Sequence, residues 1–543
     1  MPTPTALSPH ALSNLFGTDR VITTACSRIF LPPPPSPGSP ATGSGCAYKV
    51  RLPVRLAYLD FTTFEARLRA SLEELRLNAD LAPGVYQTLL TIAIVPDGTV
   101  HLHEGGAPLQ PGVEAVDVAV RMRNLPESGM LPAILAQRTL TPDERRALVA
   151  RLADFHARAA TGPEIARHAS LDALRSELLG NLDQCRPFAV PGGVIAPAAL
   201  DRLRDWMAGQ LDALAPVLRD RAIGGFVREG HGDLHAGNIC FDPDAATPEN
   251  PSGLLIYDRL EFRLDFRCKD VAAEIACLAS SLDAAGHHDL ADGIAGDYAA
   301  LTSDPGVRTV GTLYRAHYAA VRGKVHALQA AAARDAQDHL EADHHADLAS
   351  RKLHQALGYS RGPVLMIACG LPGSGKSHAA RLLAPSLRAR VHRADEIRKC
   401  LLGLAPMDRG GPDLYSPLVS ARTYAELLGR CDTDLAAGRS VLADATFRDA
   451  FLRQPFVALA RARGVPLVIV HCHADEAETR RRLEARSAEG RDASDADWAV
   501  YEKLAPTFEP PAPHEGPVLR VEPDAPTRDL LCRLFELIDR PRA

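Results

Sequence analysis

The eleven cysteines of this 543-residue chain never fall into a C-x-x-C pair. That excludes a zinc ribbon or a dithiol redox motif, and their scatter fits reduced thiols in the cytoplasm rather than a disulfide framework. There is no long run of Lys or Arg either, and the net charge is −6. The chain therefore lacks the electrostatic footprint of a protein that tracks long nucleic acid. A small-molecule or nucleotide-like partner is the more natural expectation. No apolar run reaches the roughly 18 residues a membrane helix needs, and the opening "MPTPTALSPHALSNLFG" shows no basic segment followed by an apolar one. Neither export nor membrane anchoring is expected. No internal repeat is visible.

What is present describes an ordinary globular protein, with 46% hydrophobic and 24% charged residues in a length that calls for two to four domains. "VITTACSRIFL" (21–31) reads as a strand, and "CAYKVRLPV" (46–54) as a second. The low-complexity "PPPPSPGSPATGSG" (32–45) between them reads as an extended connection. "TTFEARLRASLEELRLN" (62–78) places Phe64, Leu68, Leu72 and Leu75 at helical spacing behind a threonine cap. Strand-like 88–95 and 115–123 follow, then mostly helix, with Ala- and Leu-rich helix from about 271 to 357. A Gly/Pro break, "GYSRGP" (358–363), precedes alternating strands and helices that run to the end. The expected organisation is a domain over 1–357, a linker at 358–363 and a second domain over 364–543.

"HGDLHAGN" (231–238) sets an aspartate among small residues and an asparagine five positions later. Asp233 and Asn238 have the spacing of a kinase-type catalytic loop, in which the Asp accepts a substrate hydroxyl proton and the Asn holds Mg²⁺. After Asn238 come "ICF", a turn-rich stretch, "LLIY" and Asp258. A hairpin there returns the chain to its starting point and puts a second oxygen ligand beside the first. His231 and His235 are expected to brace the loop. Upstream, Lys49 lies on a strand and is followed by a Glu-rich helix, the arrangement in which a lysine touches ATP phosphates and is held by a helix carboxylate.

These residues resemble the aminoglycoside phosphotransferase and choline kinase-like group of protein-kinase folds, over roughly the first two thirds of the chain. "YKVRLPV", "YLDFTTFEARLRASLEELRLN", "HGDLHAGNI" and "YDRLEF" together resemble a bacterial group in which such a half precedes a P-loop half. The resemblance implies a bilobal α+β domain with Asp233 as general base, Asn238 and Asp258 binding Mg²⁺, and Lys49 binding ATP. It also implies Glu74, rather than Glu73, as the partner of Lys49, and an adenine-side hinge near Arg121–Asn124. The sequence departs from the family in having no G-x-G-x-x-G loop over the phosphates.

"GLPGSGKS" (370–377) fits G-x-x-x-x-G-K-[ST] between an apolar strand, "VLMIAC", and a helix. Gly370, Gly373, Ser374 and Gly375 should cradle phosphates with backbone N–H groups, Lys376 reach the β- and γ-phosphates, and Ser377 hold Mg²⁺. Asp395 and Arg398 in "HRADEIRK" enter the next helix, Asp444 ends the strand of "VLADATF" facing the ligand crevice, and "ETRRRLEARSAEGR" suits an arginine lid. The set resembles small P-loop kinases of AAA type, particularly the 5′-hydroxyl kinase half of polynucleotide kinases. That implies an α/β domain on a parallel sheet, with Asp395 as base, Arg398 on an acceptor phosphate and Arg482 or Arg486 in the lid. The expectation is a phosphotransferase with two ATP–Mg²⁺ sites, each acting on an acceptor hydroxyl. The rivals are a nucleic-acid 5′-end kinase and a regulatory protein with one silent nucleotide site.

Overall fold

The computed structural model describes residues 7–33, 45–56, 59–105, 110–405, 407–489 and 494–540. Most of the Pro-rich connection and the end of the expected lid, 490–491, lie outside the described residues. The chain forms two compact units: 1–174 with 215–279 and 289–311, and 175–214 with 280–288 and 312–543.

The first unit is built on a six-stranded antiparallel sheet. Its strands are β1 (Val21–Thr23), β2 (Ser27–Phe30), β3 (Cys46–Arg51), β6 (Tyr86–Ile94), β7 (Val100–Glu104) and β8 (Glu114–Arg123), in the order β1-β2-β3-β8-β6-β7. The two-residue β4 (Arg55–Leu56) and β5 (Leu59–Asp60) pair beside it. The single strand expected over 21–31 is a hairpin. The Thr24 hydroxyl accepts from Cys26 N and Ser27 N at 3.3 and 3.0 Å, turning the chain where the sequence shows only β-formers and small residues. The helix Phe64–Asn78, capped by Thr63, lays Phe64, Leu68 and Leu75 on Leu89, Val118 and Val120. Leu72, expected in that stripe, is 51% exposed. The opposite face takes Leu12 and Phe16 of the helix Pro9–Phe16 against Phe30, Val50 and Ile92. Alternation along β3 therefore sends Lys49 and Arg51 toward the long helix, and Val50 away from it.

Farther on, β9 (Val227–Glu229) pairs with β12 (Cys268–Asp270), and β10 (Ile239–Phe241) with β11 (Leu254–Ile256) as the expected hairpin.

The second unit carries a five-stranded parallel sheet, β14-β15-β13-β16-β17: Arg390–Arg393, Val441–Asp444, Leu365–Cys369, Leu467–Cys472 and Val518–Val521. Continuous burial of β13 and β15 is what a sheet covered on both faces demands. Helices Ala394–Leu401, Pro417–Ala436 and Ala450–Arg463 cover one side through Ile397, Leu427 and Phe456. The helix His339–Gly358 also belongs to this unit: the His354 ring lies 5.0 Å from that of Phe535, and a Cβ on Gly358 would meet Ser386 O at 1.8 Å. Packing of that helix places the edge of the compact unit upstream of the Gly/Pro break.

Candidate functional site

In the first unit, Lys49 is buried and its Nζ donates to Glu74 Oε1 at 2.6 Å and Asp258 Oδ1 at 2.9 Å. Burial alone would lower the lysine pKa, but Asp258, Glu74 and Glu261 together hold it well above its ordinary value. Successive helix positions diverge by about 100°, so Glu73 points elsewhere and pairs with Arg76 and Arg267. The Lys49 carboxylate on the helix is Glu74.

The β10–β11 hairpin brings Tyr257 N to Asn238 O at 3.0 Å, and Asn238 Nδ2 donates to Asp233 O at 3.0 Å. Asp258, half-exposed, sits at φ +62°, and its N–H donates to Tyr86 Oη at 3.0 Å. Its carboxyl is pushed up by burial around it, yet Lys49 brings it below the usual carboxylate range. Thus Lys49, Glu74 and Asp258 form one direct cluster, and Asp233 joins it through Asn238 and the hairpin mouth.

The loop is held from beneath by Glu274, on the helix Val271–Ala284. This buried carboxylate accepts from His231 N at 2.8 Å, Gly232 N at 2.6 Å and His156 Nε2 at 3.0 Å. Burial would raise its pKa, but the hydrogen bond and charge of His156, with help from His231 and Gly232, bring it down to about 2. Gly230 is required by this approach, since a Cβ there would stand 2.3 Å from Glu274 Oε2. Burial lowers the His231 pKa. Neutral His231 accepts from Asp233 N at 3.3 Å and donates from Nε2 to Tyr257 O at 3.0 Å, the bracing role expected. His235 Nδ1 accepts from Gly237 N at 3.0 Å. In the segment 121–124, Arg123 pairs with Asp242, and Asn124 N donates to Gly45 O.

In the second unit, the loop between β13 and the helix Lys376–Leu383 takes φ values of +148°, +80° and +96° at Gly370, Gly373 and Gly375. Those conformations require glycine and turn the loop's backbone inward. Lys376 Nζ donates to Leu371 O at 2.9 Å, and Ser374 Oγ is buried without a hydrogen-bond partner among the described residues.

Ser377 Oγ donates to Asp444 Oδ2 at 2.7 Å. Asp444 ends β15, directly beside β13, and burial raises its carboxyl pKa against the pull of Lys376 and Ser377. Expected at the strand end facing the ligand crevice, Asp444 accepts from the loop serine, and its partner on β13 is Ala368, one residue before that strand ends.

Arg393, which sequence reasoning passed over, lies 3.7 Å from Asp444 and donates to Ser377 at 3.4 Å. Asp395 and Arg398 pair within one helical turn, and the buried Arg398 guanidinium stacks 4.8 Å over the Tyr415 ring. Arg482 stands over the loop, with Nη1 3.1 Å from where a Cβ on Gly375 would be, and is oriented by Glu478 at 2.6 Å. Arg486 is turned away to the Ala496 carbonyl.

Residues 365–511 match the family described as "AAA domain". The glycine loop between β13 and the helix Lys376–Leu383, on a parallel sheet, is the P-loop arrangement, whose backbone N–H groups cradle nucleotide phosphates. The chain is also similar to an uncharacterised protein of Mycobacterium tuberculosis, 27% identical over 478 residues covering 84% of this chain and 88% of that one. Among solved structures, Chaetomium thermophilum Kti12 in complex with ADP-AlF3 is 21% identical at a TM-score of 0.26, covering 32% of this chain and 100% of its own. The Mycobacterium tuberculosis APS kinase in complex with AMPPNP and APS is 22% identical at a TM-score of 0.25, covering 33% and 99%.

Proposed function

We propose that the chain is an ATP-dependent phosphotransferase with two nucleotide sites, each passing the γ-phosphoryl group to an acceptor hydroxyl. The observation that carries this reading is Lys49 held between Glu74 and Asp258 beside the Asp233–Asn238 loop. A strand lysine paired with a helix glutamate, an aspartate-to-asparagine loop and a second aspartate on the returning strand are the working parts of a kinase-type site. It supports the aminoglycoside phosphotransferase-like reading for residues 1–357; the functional division at 358–363 rests on the motifs either side of the Gly/Pro break, since the helix His339–Gly358 packs in the second unit.

In the first site, Lys49 orients the ATP phosphates and Asp233 accepts the proton of the acceptor hydroxyl. Asn238 spends its amide nitrogen on Asp233 O, so its oxygen and the half-exposed Asp258 carboxylate are the hard donors suited to Mg²⁺. In the second, the Gly370–Gly375 backbone and Lys376 hold the phosphates. Ser377 and Asp444 supply the oxygen set for Mg²⁺, and Arg482 faces the transferring group. At both sites the cation would neutralise phosphate charge. Asp395 takes the acceptor proton, and Arg398, one helical turn away, contacts an anionic group of the acceptor. The acceptors are small or nucleotide-like molecules. The eleven free cysteines support a reducing, cytoplasmic setting.

The test is ATP consumption by the full chain against pools of metabolites, aminoglycosides and oligonucleotides, repeated with Asp233→Asn and Lys376→Ala. Two acceptor sets, each lost in one variant only, are expected. Turnover unaffected by Asp233→Asn with every acceptor would refute the first site. Second-site reaction with neutral sugars alone would refute the anionic acceptor.

A further inference from the structure

Arg51 follows Lys49 by two residues on β3, so both cations sit on one face of the strand. Its guanidinium is buried and serves two segments at once. Nη2 donates to Glu74 Oε2 at 2.6 Å and Ala70 O at 3.3 Å, Nε to Ser71 Oγ at 3.1 Å, and Nη1 to Glu261 Oε1 at 2.5 Å. Glu74 is therefore divided between two cations, one carboxylate oxygen on Lys49 and the other on Arg51. Glu261 lies three residues after Asp258, the other partner of Lys49. The contacts close a ring: Asp258 to Lys49 to Glu74 to Arg51 to Glu261, and back along the chain. The Phe61 ring lies 5.0 Å from the guanidinium and excludes water from it.

Three carboxylates meet two cations in this ring, and four of the five groups are buried. Burial, with the charges of Glu74 and Asp258, pushes the Glu261 pKa up, while Arg51 and Lys49 oppose that rise. Lys49 must release Asp258 if it is to reach a phosphate. Once it does, that ammonium no longer joins the segment 258–261 to the helix Phe64–Asn78, and the hydrogen bond from Arg259 N to Asn78 Oδ1 at 2.9 Å holds the segment at the helix's last residue. Arg51 supplies a second tether with a planar, multidentate group that lysine does not reproduce.

We propose that Arg51 and Glu261 are a positioning pair that fixes Glu74 and the Asp258 segment against β3 independently of Lys49. Lys49 thereby exchanges Asp258 for nucleotide phosphates while the helix stays in place. The inference rests on the first site being a nucleotide site, and its test separates the two.

In the full chain carrying Lys376→Ala to silence the P-loop, binding of a fluorescent ATP analogue is titrated at several Mg²⁺ concentrations. Lys49→Met should weaken binding at least tenfold; unchanged binding there would overturn the nucleotide-site reading and this inference with it. Given that loss, Arg51→Lys and Glu261→Gln should each weaken binding at least fivefold and raise the Mg²⁺ concentration needed for half-saturation. The double variant should be no worse than the weaker-binding single one, because the two residues act as a unit. A loss below fivefold in either single variant, or an unchanged Mg²⁺ requirement, makes the pair merely structural and overturns the inference. Glu261→Gln keeps the side-chain shape and carries the test if the arginine variant does not fold.

Discussion

The Ser377 hydroxyl and the Asp444 carboxylate meet at 2.7 Å, one from the first turn after the glycine loop and the other from the end of the neighbouring parallel strand. An oxygen pair so placed is suited to position a cation and its water. Asp444→Asn should weaken Mg²⁺-dependent nucleotide binding at the second site by about 10–100-fold, and leave metal-free binding much less affected. Calorimetric titration with Mg²⁺ and with chelator checks this. Equal loss in both conditions would assign Asp444 to the fold instead.

Asp233 is the proton acceptor in the reading above, whereas Asn238 and Asp258 are cation donors. Asp233→Asn should lower acceptor phosphorylation by at least about 100-fold, with Mg·ATP affinity at the first site within a few-fold of the parent. Asp258→Ala should instead abolish metal-dependent nucleotide binding. Single-turnover assays beside binding titrations separate the two effects.

Glu274 gives stability a pH signature. Its folded pKa is about 2, below the ordinary 4.5, so the unfolded chain binds the proton more readily. The stabilisation is complete above about pH 4.5 and fades as pH falls toward 2; by linkage it amounts to about 3 kcal/mol. Glu274→Gln should therefore be clearly less stable than the parent at pH 6, with the difference shrinking toward pH 3. Denaturant midpoints at the two pH values measure it, and a pH-independent difference would count against the ionised carboxylate.

The two sites draw on different compact units and share no side chain. Lys376→Ala should abolish only the second activity and Asp233→Asn only the first, with the double variant additive. Any change in one site's nucleotide affinity caused by a ligand at the other must be reciprocal. A reciprocal factor above about fivefold, roughly 1 kcal/mol, would establish coupling.

Much of both sites was legible because their chemistry sits in local patterns. The glycine loop, the Asp233–Asn238 spacing and the return to Asp258 are all written within a few residues or one hairpin. The choice of Glu74 over Glu73 came from the resemblance, through its place before "LRLN", and the structure pairs Glu74 with Lys49. What escaped was non-local. Arg51 and Glu261 lie inside "YKVRLPV" and "YDRLEF" but had no role assigned, and His156 and Glu274 lie in no motif; their roles arise only when strand, helix and loop meet at separations of up to 210 residues. Asp444 was placed at the end of its strand from the sequence, but its serine partner depends on strand register, which periodicity does not disclose. The hairpin within 21–31 was missed because its turn is made by a threonine hydroxyl rather than by glycine or proline.

Asp258 occupies the left-handed region at φ +62°, among the few described non-glycine residues that do so. Glycine would adopt that conformation without the side-chain penalty of about 1 kcal/mol or more. The chain thus sets an ionised residue where the backbone alone would favour none, which puts function and robustness in opposition at one position. Asp258→Gly relieves the backbone but removes the carboxylate paired with the buried Lys49 ammonium at 2.9 Å, so its two effects on stability oppose each other while the first site loses a proposed cation donor. Asp258→Asn, which tolerates the same backbone and keeps one oxygen, separates the two pressures.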